Sequence, residues 1–169
     1  AGMELDDIAK HFIAGAKDMA TGALVVGLAR GILVVMEGSL IIDTMIYGLA
    51  NAISALPKAV SAIGMLLVQS FLNLIIPSGS GLAATTMPIM APLSDVIGVT
   101  RQTAVLAYQF GDGITNSIVP TSGVLLANLS IAKIKYEEWV KFVGPLMVLW
   151  TLMGCVFMVI AVLINYGPF

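Results

Sequence analysis

Two stretches of this chain carry no charge: the 36 residues from 59 to 94 and the 28 from Phe142 to Phe169. Each exceeds the roughly 20 apolar residues that cross a hydrocarbon core. A soluble domain of 169 residues has no interior wide enough for both. Composition agrees, since 11% of the residues are charged, against about 25% in ordinary soluble domains. The expected class is an all-α integral membrane protein with the lipid bilayer as its first partner.

Several functions are excluded early. A net charge of −2 leaves no basic face for nucleic acid. Cys155 is the one cysteine, so no disulfide forms within the chain. His11 has Asp7 one helical turn away but no second His or Cys to complete a metal site. There is no nucleophile beside a base, no HExxH and no phosphate-cradling glycine loop before a lysine, so the chain does not read as an enzyme. The start, AGMELDD, lacks the basic and apolar parts of a signal peptide.

The apolar pattern divides into five segments within a single membrane domain, 1–169. Residues 6–19 mix charges with Ile8, Phe12 and Ile13 and suit an arm helix on the membrane surface. Residues 21–56 are interrupted by Arg30, Glu37 and Asp43, each costing about 2.5–3.5 kcal/mol in mid-membrane. A re-entrant hairpin turning at Met36-Glu37-Gly38-Ser39 in a wet cavity relieves that cost; one tilted span is the alternative. Residues 59–94 and 102–130 read as broken helices and 142–166 as a continuous span. Tyr136 and Trp139, beside Glu137, Glu138 and Lys141, read as an interfacial belt. On this layout Lys10, Lys17, Lys58, Lys133, Lys135 and Lys141 share one side and Arg101 lies on the other.

The breaks carry the function. In PSGSG, Pro77 removes a donor and Gly79 and Gly81 relax the backbone, so a helix is expected to stop near Ile76 and restart near Leu82. Backbone left unpaired in hydrocarbon costs several kcal/mol per group, so the break has to be buried in protein or line water. The restarting helix offers N–H groups with partial positive charge, and Ser78, Ser80, Thr85 and Thr86 add hydroxyls. A proline kink healed by neighbouring helices is the competing reading. The elements recur at Asn116, Pro120, Thr121, Ser122 and Gly123, and Asn73 and Asn116 each stand four residues before a proline. Two interrupted spans of this kind are the pattern of discontinuous helices meeting at a central site. Asp112 is the one charge between Gln102 and Ala132; it faces the cavity, caps a half-helix or pairs with Arg30. The candidate substrate-binding residues are Glu37, Gly38, Ser39, Asn73, Ser78, Gly79, Ser80, Gly81, Asp112, Asn116, Thr121, Ser122 and Gly123.

The segments NLIIPSGSG, QFGDGITN and NSIVPTSGVLLANLS resemble the C-terminal half of the YfcC-like transporters. These belong to the anaerobic C4-dicarboxylate carrier family of the ion transporter superfamily, and the likeness covers nearly the whole chain. The resemblance implies a secondary carrier working by alternating access, of which this chain is one of two inverted repeats, each with a re-entrant hairpin and a broken helix. Related sodium-coupled dicarboxylate carriers use Ser-Asn-Thr loops here; this chain has PSGSG and EGS instead. The cargo implied is a small charged metabolite such as a dicarboxylate or an amino acid. Na⁺ or H⁺ is the implied coupling ion, with sodium near Ser78, Ser80 and Thr121, and no other cofactor is called for. The expected setting is the bacterial cytoplasmic membrane. The expected partners are a complementary half, or the rest of a longer chain, and further copies of the complete carrier. The alternative is a non-transporting half-carrier that scaffolds or senses.

Overall fold

The computed structural model describes residues 5–167. At positions 5, 18, 19, 21–23, 25, 26, 29, 30, 32, 33, 37 and 42 only the backbone is described. The described residues form seven helices and no strand: α1 (Leu5–Gly38), α2 (Ile41–Ser54), α3 (Lys58–Ile75), α4 (Gly79–Ile97), α5 (Arg101–Thr115), α6 (Gly123–Ala132) and α7 (Tyr136–Leu163). By length and composition α3 and α7 can each cross a membrane.

The arm expected at 6–19 and the first limb of the hairpin expected at 21–56 are one helix, α1, of 34 residues. It contains no proline, and a glycine inside a helix costs only about 1 kcal/mol, which neighbouring helix formers outweigh. The chain turns at Ser39-Leu40, where Leu40 takes a left-handed φ of 56°, and α2 follows with 14 residues.

The segment expected as a broken helix over 59–94 is instead a tight helical hairpin. A Cβ built on Gly98, past the end of α4, would lie 2.8 Å from Lys58 Nζ at the start of α3. Halfway along, Gln69 Nε2 donates to Thr86 Oγ1 at 3.0 Å. Contacts that pair early residues of α3 with late residues of α4 require the two to run antiparallel. The tip is Ile76-Pro77-Ser78, with Ile76 out of helical geometry (φ −113°) and Ser78 extended (φ −138°). α4 restarts at Gly79 rather than near Leu82, because Ser78 caps it: its Oγ accepts from Gly81 N at 3.3 Å.

α5 and α6 are separated by residues 116–122, and Asp112 lies inside α5 rather than in the break. Helix α5 runs parallel to α3. A Cβ on Gly111 would fall 2.6 Å from Gln69 Cβ and 2.9 Å from Ser70 N, and Asn73 meets Thr115 and Asn116 one turn further along both helices. Only a glycine at 111 permits that approach. The final helix begins at Tyr136, six residues before the expected span, and its tail docks where α5 starts: Thr100 Oγ1 donates to the Tyr166 carbonyl at 2.6 Å.

Lys58, Gly98, the Asp95–Arg101 ion pair and the end of α7 therefore lie at one end of the bundle. Lys133 and Lys135 lie at the other, in the α6–α7 turn. This overturns the expectation that Lys58 shares a side with Lys133 and Lys135 and opposes Arg101. The hairpin brings the chain back to the end it left, whereas a straight broken helix would cross.

Helix α3 is the centre of the fold. Ala62, Met65, Leu66, Leu72 and Asn73 are all within 1% of complete burial among α2, α4, α5 and α7. The outer face of α7 shows Phe142, Val148, Leu152, Val156 and Leu163 openly. Large apolar side chains spread along a helix this long are suited to acyl chains.

Candidate functional site

Parallel packing of α3 and α5 sets the two interruptions beside one another. Asn73 and Asn116 are at one level, and four residues on, Pro77 at the hairpin tip and Pro120 in the second break follow. The repeated spacing in the sequence is thus two matched chain interruptions meeting at the same height.

A polar network joins them. Asn73, completely buried, places Nδ2 2.7 Å from Thr115 Oγ1, 3.2 Å from Asn116 Oδ1 and 3.3 Å from the Asp112 carbonyl. Asn116 Nδ2 donates to Asp112 Oδ1 at 3.0 Å. Tyr108 Oη donates to the Gly79 carbonyl at 2.7 Å, tying α5 to the first residue of α4. A Cβ built on Gly79 would stand 3.1 Å from Asp112 Oδ2 and 3.3 Å from Tyr108 Oη. The Asp112 carboxylate therefore lies against the N-terminus of α4, where free N–H groups favour negative charge. Arg30, the other partner considered for Asp112, has no described side chain.

Two acceptors in this region are buried without a partner, Asn73 Oδ1 and Thr121 Oγ1. Orphaned polar atoms are uncommon in folded proteins and call for an explanation. Ser122 Oγ caps α6 by accepting from Leu125 N at 3.4 Å, so α4 and α6 both begin at this level behind a capping serine. Ser80 is exposed, while Gly81, Thr121 and Gly123 are half-buried. Of the proposed sodium ligands, Ser78 Oγ is engaged as a cap, and Thr121 Oγ1 is buried and unpaired.

The remaining candidates, Glu37, Gly38 and Ser39, stand at the α1–α2 junction. Gly38, the last residue of α1, and Ser39, just past it, are exposed, and Ser39 Oγ donates to the Val35 carbonyl of α1. The Glu37 side chain lies outside the described residues. Among the described residues no group of three or more His, Cys, Asp or Glu could hold a metal ion. A cation bound here would meet hydroxyl, amide and carbonyl oxygens.

Sequence reasoning missed Tyr108, Thr115 and the Gln69–Thr86 pair, and it read Tyr136 and Trp139 as anchors alone. Both of the latter bond the second break: Trp139 Nε1 donates to the Ser117 carbonyl at 2.8 Å, and Tyr136 Oη to that of Ile118. The 42-residue offset between Gln69/Asn73 and Gly111/Thr115 was the available signal. It is the parallel register of α3 and α5, foreshadowed to within one residue by the 43-residue recurrence of asparagine and proline at 73/116 and 77/120.

Comparison with known proteins completes the description. The family model for the C4-dicarboxylate anaerobic carrier, DcuC, matches residues 1–163. The "Putative basic amino acid antiporter YfcC" of Escherichia coli (strain K12) is 42% identical over 170 residues, covering 98% of this chain and 34% of that protein. An uncharacterized protein of Haemophilus influenzae (strain ATCC 51907 / DSM 11121 / KW20 / Rd) is 40% identical over 162 residues, covering 96% of this chain and 32% of its own length. The chain thus spans about a third of the length of these relatives. No solved structure matches it. A charge-poor helical bundle with paired interruptions and a matching family model leads to one conclusion: the chain belongs to the DcuC family of carriers, and is related to transporters rather than enzymes.

Proposed function

We propose that this chain forms the cargo-gripping part of an ion-coupled secondary carrier in the bacterial cytoplasmic membrane. The α3–α4 hairpin is its re-entrant element and α5–α6 its discontinuous span. The remainder of the carrier supplies an inverted counterpart that closes the cavity, and complete carriers associate as homo-oligomers. The observation that carries this reading is the meeting of the Pro77 and Pro120 interruptions at one level, joined through Asn73, Asn116, Asp112 and Tyr108. Main chain unpaired at such a depth has to be enclosed in protein or bathed in a wet cavity. There the starts of α4 and α6 present N–H groups suited to a carboxylate.

Asp112 favours one cargo class over another. A dicarboxylate held at the start of α4 would face the like charge of Asp112, whose Oδ2 is 3.1 Å from the Cβ position of Gly79. A basic amino acid presents a carboxylate to the N–H groups and an ammonium to Asp112. The printed name of the Escherichia coli relative points to the same class. Coupling to Na⁺ or H⁺ would use the unpaired oxygens of Asn73 and Thr121, or Asp112 itself.

Uptake of labelled lysine and labelled succinate by proteoliposomes of the intact carrier tests this. Asp112→Asn is expected to cut lysine uptake at least ~10-fold, the loss of one partly buried charge pair, and to leave succinate uptake no lower. Equal loss of both would assign Asp112 to ion coupling. Wild-type rates for lysine in Asp112→Asn would remove it from the cargo site.

A further inference from the structure

In the 116–122 segment the carbonyls of Ser117 and Ile118 receive no backbone N–H among the described residues. Each instead accepts from a side chain of the first turn of α7, Ser117 from Trp139 Nε1 at 2.8 Å and Ile118 from Tyr136 Oη. The route is short. After α6 the chain reverses in three residues, with Lys133 at a left-handed φ of 56° and Ile134 N bonded back to the Leu129 carbonyl. The start of α7 is thereby set beside the break that α6 has just left.

We infer that Tyr136 and Trp139 are positioning residues for the candidate site, holding the Ser117–Ser122 segment in its unwound shape from outside the cavity. This rests on the reading above that the segment lines the cargo site. Carbonyls without donors at this depth would have to turn toward water or another N–H. With both engaged by α7, these two carbonyls are turned away from the cavity, and the Thr121 hydroxyl and the N–H groups at the start of α6 are left to face it. The two aromatic donors therefore hold the break so that the start of α6 is presented in one fixed orientation. Interfacial anchoring alone would not require either polar atom to point at a break in another helix.

Spin-label distance measurements on the intact carrier in lipid nanodiscs, with native cysteines replaced, test this without a transported solute. One label pair joins α6 to α3 through Val124→Cys and Leu67→Cys; a reference pair joins α4 to α3 through Val96→Cys and Leu67→Cys. All three positions are exposed. Tyr136→Phe and Trp139→Phe, singly and together, should abolish the single narrow α6–α3 distance and leave the α4–α3 distance unchanged. The single variants keep the test open if the double one fails to insert. An unaltered α6–α3 distribution overturns the inference. So does equal broadening of both pairs, which would mean general loosening. Neither result depends on which solute is carried, so the cargo assignment stands or falls separately.

Discussion

Gly111 is the residue on which the architecture turns. A methyl group there would fall 2.6 Å from Gln69 Cβ and 2.9 Å from the Ser70 amide, and backbone cannot yield as a flexible side chain does. Gly111→Ala should destabilise the fold by about 1–3 kcal/mol through overpacking, read as a lowered thermal midpoint of the purified protein in detergent. Gly113→Ala, with nothing within 4 Å of its Cβ position, is the control and should be near neutral. At this scale the sequence was informative where a polar side chain stood in an apolar run. Asn73, Asp112 and Asn116 are found in one network for that reason. Tyr108 and Thr115 were invisible because an aromatic or a hydroxyl on an amphipathic helix signals nothing by itself. Their partners, the Gly79 carbonyl and Asn73, are 29 and 42 residues away along the chain.

The two interruptions look alike as elements but behave differently. Proline, serine and glycine mark both, yet the first turns the chain back on itself as a hairpin and the second does not pack α6 back on α5. Composition around a break reports that the helix stops, not the direction in which the next one leaves. The length of α4 was the better guide: its 19 residues exceed what half a membrane requires, about 10 at 1.5 Å per residue. α6, with 10 residues, fits a half-span. Both restarts use the same device, a serine in extended conformation accepting from the third residue of the helix. Ser78→Ala and Ser122→Ala should each cost about 1 kcal/mol. The checking measurement is denaturant unfolding, with Ser39→Ala as a comparison because Ser39 caps no helix start. The boundary expected between the arm and the first hairpin was misplaced because a change from charged to apolar composition near residue 20 does not interrupt a helix, and α1 runs straight through it.

For the whole molecule, the reversal at Pro77 decides which ends share a side. Lys58→Cys and Arg101→Cys should be labelled by a membrane-impermeant maleimide from the same face of sealed vesicles, and Lys135→Cys from the opposite face. Labelling of Lys58→Cys and Arg101→Cys from opposite faces would contradict the hairpin. Membrane class and carrier kinship were legible in the charge-free runs and loop motifs; sidedness was not, because it depends on that single reversal. The hairpin and α5 touch backbone to backbone at Gly111, and Tyr108 fastens the tip to its neighbour. Movement of one is therefore expected to carry the other. On the proposed carrier reading, the two lips of the cradle are expected to travel as one piece, with the moving seam along some other boundary of the protein.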